Sequence, residues 1–384
     1  MSIDSEGVFT TETGTRVPML EDTASMFLDR TIINYGPTRT GKTVITKHIM
    51  KVLNGHIDQV VVVSPTEPTN RSYEGFVDPA CIHTRLYLAD PANPKKDDGP
   101  KGAIRFIRAL WDRQQAMAAT HARANRPEVL AQLFRRLPSS TRGEAQRRID
   151  TIDKERERVV SLVRRQFKGD QGRSDGKEKE VNAKFKKMLT LIYKKYITIF
   201  YEELWERADL SADEQWSLTY LSFNPRILLI LDDCAAELKP LFKHEVFRLL
   251  FYQNRHCHIT VILCCQDDTD LPTNLRKNAF LSFFTEGVVC QTNFNRSSNS
   301  FPKPTKELVA DISASLFTDR FRKLAYVRDD ERRQHFYYVK FPEHPLFRFG
   351  SEAFRQLCDN VQTTEDAMDT ENPYYDRFSS LGRK

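Results

Sequence analysis

Residues 31–53 read TIINYGPTRTGKTVITKHIMKVL. Gly36 and Gly41 bracket four residues, and Lys42-Thr43 follow, which completes the pattern GxxxxGK[ST]. A short β-rich run precedes it. Apolar residues at helical spacing follow it, and Asn54-Gly55 ends them. Strand, glycine turn and helix in that order make a cradle for polyphosphate. The glycines let backbone N–H groups turn inward, and the helix N-terminus adds a favourable dipole. The expected binding residues are Gly36, Pro37, Thr38, Arg39, Thr40, Gly41, Lys42 and Thr43. The Lys42 ammonium is expected on the β- and γ-phosphates and the Thr43 hydroxyl on Mg²⁺, so ATP and Mg²⁺ are the expected cofactors. For Arg39 both phosphate contact and solvent exposure stay open.

A phosphate loop needs an acidic site at the end of a neighbouring strand. RILLILDDC (226–234) supplies it: an apolar run buries the strand, and Asp232 emerges at its carboxyl end, where open α/β sheets hold ligands. Asp232 is expected on Mg²⁺. Asp233 stands where many ATPases carry a water-activating glutamate, and its carboxylate is one methylene shorter. HITVILCCQD (258–267) is a second apolar strand ending in polar residues. If it lies between the other two, Gln266 faces the γ-phosphate and senses nucleotide or orients water. Arg276, ten residues on, has two readings: an arginine finger reaching a neighbouring subunit's ATP, or a surface arginine at a helix start.

Other runs set the architecture. QVVVVS (59–64) reads as a strand buried on both faces, AFLSFFTEG (279–287) as a further strand, and 323–341 as a terminal hairpin. PLFKHEVFRLLFYQNRH (240–256) reads as helix. Strands alternating with helices predict an α/β fold with a mainly parallel sheet. LADPANPKKDDGPKG (88–102) is a turn-rich boundary. Beyond it, 103–216 loses β alternation and reads as a helical insertion: a helix over 143–167, a flexible break at 169–180, and a helix over 181–208. The expected division is an arm (1–25), a core (26–102 and 217–345), the insertion (103–216) and a tail (346–384). PKPTKE (302–307) reads as a loop and the aromatics of FYYVKF as sheet packing. HCH (256–258) with Cys264 and Cys265 matches no zinc spacing, and the two adjacent cysteines read as buried strand residues.

Charge is uneven along the 384 residues. Residues 101–200 carry 25 Lys+Arg against 11 Asp+Glu, a net of +14, while the remainder has 33 against 41, a net of −8. A block like this faces phosphates or forms a solvated helical face. No run approaches the roughly 18 apolar residues of a membrane span, and the first 20 residues lack a secretory pattern. Seven scattered cysteines fit a reduced compartment. The expected location is therefore cytosol or nucleoplasm, with no membrane partner.

With these motifs in order, the sequence resembles the poxvirus-type genome-packaging ATPases of nucleocytoplasmic large DNA viruses, in the FtsK–HerA superfamily of P-loop NTPases. NYGPTRTGKT, VVVVSPT, ILLILDD and VILCCQD followed by LPTNLRKN carry the resemblance, over about residues 28–100 and 222–290. It does not extend to the basic insertion. The resemblance implies a RecA-like sheet with an additional strand between the phosphate-loop and acidic strands. It also implies a ring, hexameric in the family, that drives double-stranded DNA into a capsid with ATP, a capsid or portal partner, and a place at the virus assembly site in the host or in the virion. The rival expectations are a helicase or other ATP-driven remodeller, a small-molecule kinase, and a nucleotide-binding virion assembly component without turnover.

Overall fold

A computed structural model describes residues 3–4, 7–84, 86, 100–329 and 334–362. Most of the turn-rich stretch 88–102, and the tail beyond 362, lie outside the described residues. The chain divides into two compact units, one of residues 1–115 and 225–384 and one of residues 116–224.

The first unit is built on an eight-stranded sheet. In chain order β1 (Val8–Thr10) and β2 (Arg16–Pro18) form a separate two-stranded hairpin. The main sheet contains β3 (Thr31–Tyr35), β4 (Gln59–Val63), β5 (Ile82–His83), β6 (Ile227–Asp232), β7 (Ile259–Cys265), β8 (Leu281–Phe284), β9 (Lys323–Val327) and β10 (Phe336–Val339). Its spatial order is β10-β9-β8-β3-β7-β6-β4-β5. The six strands from β8 to β5 are mutually parallel, and β9 and β10 add antiparallel pairs at one edge. The mainly parallel α/β sheet and the terminal hairpin read from the sequence are both present. So is the implied additional strand: β7 sits between β3, which leads into the phosphate loop, and β6, which ends in Asp232.

The apolar strands are buried on both faces because helices cover both. On one face Ile33, Val61, Leu229, Leu231, Val261 and Leu263 pack with Phe106, Ile107, Leu110 and Trp111, and with Val246, Phe247 and Leu250 of the helix Glu245–Tyr252. On the other, Ile32, Val60, Val62, Leu228, Ile230, Ile262 and Cys264 pack with Ile45, Ile49, Met50 and Leu53 of the helix Lys42–Leu53. Alternate residues of one strand thus serve opposite faces, as the two-residue period of a strand requires. Each such side chain contributes on the order of 1.5–3 kcal/mol by leaving water.

Several local expectations differ from the structure. Residues 103–115, grouped by composition with the insertion, belong to the first unit, since Phe106, Ile107, Leu110 and Trp111 fill the core under its sheet. PKPTKE opens the helix Lys303–Leu316, with Pro304 in the first turn, where a missing N–H costs nothing. The helix expected over 240–256 is confined to Glu245–Tyr252, with turns before it and a 3₁₀ turn, Asn254–Cys257, after it. Residues 352–362, placed by sequence in the tail, form the helix Glu352–Gln362, and Cys358 joins the core on the phosphate-loop face.

The second unit is helical. Its longest members are Ser139–Gln166 and Gln171–Ile199. Its core gathers Leu130, Leu133, Phe134, Ile149, Tyr196, Ile197, Leu204 and Leu218. The stretch 169–180, expected to be a flexible break, is helical from Gln171. Asp170 caps it by accepting from the Arg173 N–H, and Arg164 of the preceding helix pairs with its Glu178. This unit carries 22 Lys+Arg against 16 Asp+Glu. Some of these basic residues are paired within the unit: Arg123 and Arg126 pair with Asp213, and Arg136 pairs with Asp209 and Glu214. Among the described residues no helix is long and apolar enough to cross a membrane.

Candidate nucleotide-binding site

The loop between β3 and the helix Lys42–Leu53 is held in a conformation that its glycines permit. Gly36 has φ +153° and Gly41 φ +103°, and Arg39 also sits left-handed at φ +65°. A Cβ built on Gly36 would lie 1.7 Å from Thr285 Oγ1 and 2.8 Å from Thr40 Oγ1. No other residue type fits at that position without movement. Thr285 follows β8, the neighbour of β3. Its hydroxyl meets that of Thr40 and donates to the Tyr35 carbonyl at 3.1 Å. Thr40 also donates to the Pro37 carbonyl.

Lys42 is buried, 7% exposed, and its Nζ donates to the Gly36 carbonyl at 2.6 Å and the Pro37 carbonyl at 3.0 Å. The ammonium is therefore folded back over the loop's own carbonyls. Thr43, the next helical residue, is half-buried, while Thr38 and Arg39 are exposed. The helix start is locked to the sheet by the Thr46 hydroxyl, which donates to the Lys42 carbonyl and accepts from Asn34 Nδ2 on β3.

Asp232 ends β6 in register with Cys264 of β7 and is itself 7% exposed. Burial pushes its carboxyl above the usual range, and a hydrogen bond from the Tyr73 hydroxyl, 2.8 Å to Oδ2, opposes that shift. Asp233 follows at φ +55°, a left-handed turn that aspartate tolerates, and is half-buried. Gln266 leaves β7 exposed, with its backbone N–H donating to Asp270 Oδ2. The three strand ends that sequence singled out thus lie on adjacent strands at the same, carboxyl, edge of the sheet. Cys264 and Cys265 are buried within β7, as their apolar context predicts.

Arg276 does not join them. It is 9% exposed, and its guanidinium pairs with the Asp268 carboxylate and donates to the Asp268 carbonyl at 2.9 Å and Thr273 Oγ1 at 2.8 Å. Asp268 also takes Arg296. Arg276 is therefore a buried bracing group in this conformation and does not lie on the surface.

Four contributors carry no motif. Thr285 and Lys323 come from strands distant in sequence. Lys323 Nζ donates to the Thr285 carbonyl at 3.2 Å. Tyr73 lies in the loop after β4, oriented by Glu67. The Glu67 carboxylate accepts the backbone N–H groups of Ser72, Tyr73 and Glu74 at 2.8–3.1 Å. The one signal in the sequence was position: TEG after the apolar FLSFF, and TEPTNRSY after VVVV, both follow strand ends at the carboxyl edge.

The donor set around the loop fits the expected cofactors. Gly36 leaves room only where no Cβ stands, the helix N-terminus offers free N–H groups, and Lys42 is positioned to exchange carbonyl partners for phosphate oxygens. The Thr43 hydroxyl and Asp232 carboxylate are hard oxygen donors suited to Mg²⁺. Fold and site together define a P-loop NTPase fold in which an extra strand separates the phosphate-loop strand from the acidic strand.

No protein-family model matches the chain. The chain belongs to the family of protein B354L of African swine fever virus, an uncharacterised protein: it is 46% identical to the Badajoz 1971 version over 369 residues, 96% of this chain and 98% of that protein. The uncharacterised protein 075L of invertebrate iridescent virus 6 is 25% identical over 162 residues, 37% of this chain and 60% of its own. Similar solved structures include the genome-packaging NTPase B204 of Sulfolobus turreted icosahedral virus 2 in complex with ATP-gammaS, at 12% identity and TM-score 0.33 over 85% of this chain and 100% of that one. They also include VirB4 of Thermoanaerobacter pseudethanolicus, at 12% and 0.34 over 89% and 98%, and the plasmid coupling protein TrwB with GDPNP, at 14% and 0.35 over 91% and 92%.

Proposed function

We propose that this chain is a Mg²⁺-dependent ATPase that drives double-stranded viral DNA into the capsid. One observation carries the nucleotide part: a buried Lys42 opening the helix that follows β3 and its loop, and a buried Asp232 at the end of β6, with β7 between the two strands and Gln266 leaving the same sheet edge. In this reading the loop N–H groups and Lys42 bind the β- and γ-phosphates, and Thr43 and Asp232 hold Mg²⁺, which supplies charge neutralisation on the transferring phosphoryl group. Asp233 accepts the proton of the attacking water and Gln266 orients it. The motif order shared with packaging ATPases supports the assignment of the energy to DNA. The exposed lysines of the helical unit, Lys179, Lys184, Lys187 and Lys195, support a phosphate-facing surface.

The test is phosphate release with and without double-stranded DNA. Stimulation by DNA that vanishes in Lys42→Ala is the expected result, and hydrolysis indifferent to DNA overturns the translocase reading. Tight ATP binding with turnover near zero would instead favour an assembly component. Replacing the four lysines with glutamate should weaken DNA binding and flatten its salt dependence. Particle mass with ATP and DNA tests the expected ring.

A further inference from the structure

A cavity of about 940 Å³ opens directly beside the phosphate loop, lined on one side by Arg39, Thr40 and Gly41 and on the other by Phe317, Arg320 and Phe321. The volume is in the range of small-ligand sites, roughly 300–1,000 Å³. Its outer wall is the segment joining the helix Lys303–Leu316 to β9. Phe321 leaves that segment 57% exposed, an apolar ring not used by either core. The Arg320 guanidinium lies 4.8 Å from its ring centroid, so one face of the ring is backed by a cation.

The wall is indexed to the loop. Lys323 Nζ holds the Arg320 carbonyl at 2.6 Å and the Thr285 carbonyl at 3.2 Å, and the Thr285 hydroxyl meets that of Thr40 inside the phosphate loop. An aromatic ring stacked with a cation, at fixed offset from a phosphate cradle, matches the two halves of a nucleoside triphosphate.

The geometry points to this cavity as the nucleoside half of the site: the base stacks on Phe321 and Arg320 while the phosphates lie in the loop. The assignment rests on the phosphate-loop reading above and adds the residues that recognise the rest of the nucleotide. Every base has a π face, so stacking supplies affinity for the nucleoside without choosing among bases.

Calorimetric titration with Mg-ATP and, separately, with Mg-tripolyphosphate separates the two readings, because tripolyphosphate has no base. Phe321→Ala should weaken ATP about five- to 150-fold, the range of one base–aromatic stack, and leave tripolyphosphate unchanged. Phe321→Trp should restore ATP affinity. Since the ring is exposed, both variants should melt with the wild type. An unchanged ratio of ATP to tripolyphosphate affinity in Phe321→Ala overturns the nucleoside site alone. Failure of the wild type to bind tripolyphosphate overturns the phosphate-loop reading, and this inference with it.

Discussion

Replacing Gly36 with alanine is the sharpest probe of the loop. The new methyl group would stand 1.7 Å from Thr285 Oγ1, 2.8 Å from Thr40 Oγ1 and 3.0 Å from Thr285 Cβ, at φ +153°. Overpacking of this kind costs about 1–3 kcal/mol and a disfavoured backbone conformation about 1–3 more. Together they predict a loss of about 2–6 kcal/mol. At roughly 2–4 °C per kcal/mol for a unit of this size, the melting midpoint should drop by about 4–24 °C. The alternative is relief by displacing the loop, in which case tripolyphosphate binding is lost at a smaller cost in stability. Thermal melts and tripolyphosphate titration read both outcomes. Thr285→Gly removes two of the three blocking atoms, the nearest among them, but also the hydrogen bond to the Tyr35 carbonyl, so the comparison is a double-mutant cycle. Gly36→Ala should be less damaging in the Thr285→Gly background than alone. A Gly36→Ala protein that melts and binds as wild type, or a cycle with no coupling, would falsify the argument that Thr285 shapes the loop.

Three further outcomes follow from the same geometry. Burial raises the Asp232 carboxyl, so its ionised form destabilises the folded chain as pH rises through the folded pKa; Asp232→Asn should melt higher at pH 7, with the gain shrinking at acid pH, while abolishing Mg²⁺-dependent hydrolysis. A variant that melts lower at pH 7 contradicts this. Burial pushes His83 down to about 4, against about 6.5 for a free imidazole, so as pH falls through that window the unfolded chain gains the proton first and about 3 kcal/mol of stability is lost; His83→Gln should flatten this slope in urea melts at pH 7 and 4. Arg276→Ala strips one guanidinium from an Asp268 side chain that is 1% exposed, and should cost about 3–5 kcal/mol of stability. Loss of hydrolysis with an unchanged melting midpoint would instead reinstate the arginine finger.

The legible part of the molecule was the part written in local patterns. The glycine spacing, the continuous apolar runs and the acidic strand end each depend on residues adjacent in the chain. Strand–loop–helix geometry then follows from backbone sterics and from the need to bury those runs. Gly172 and Gly176 misled because pairing with Ser139–Gln166 supplies contacts that local composition does not contain. The burial of Arg276 is a related case. A basic residue after a strand end looks available until it folds back onto Asp268, eight residues earlier, and the Arg296 segment closes on the same carboxylate.

From the sequence alone come the phosphate loop, its residues 36–43, the acidic strand and the α/β class. The resemblance implied a strand between β3 and β6; only the tertiary structure brought Thr285 against Gly36, set Tyr73 on Asp232 and raised Phe321 beside the loop. The physical reason is the reach of each interaction. A turn or a buried run is decided within a dozen residues, whereas a contact such as Thr40–Thr285, 245 residues apart, exists only once the sheet has chosen its strand order.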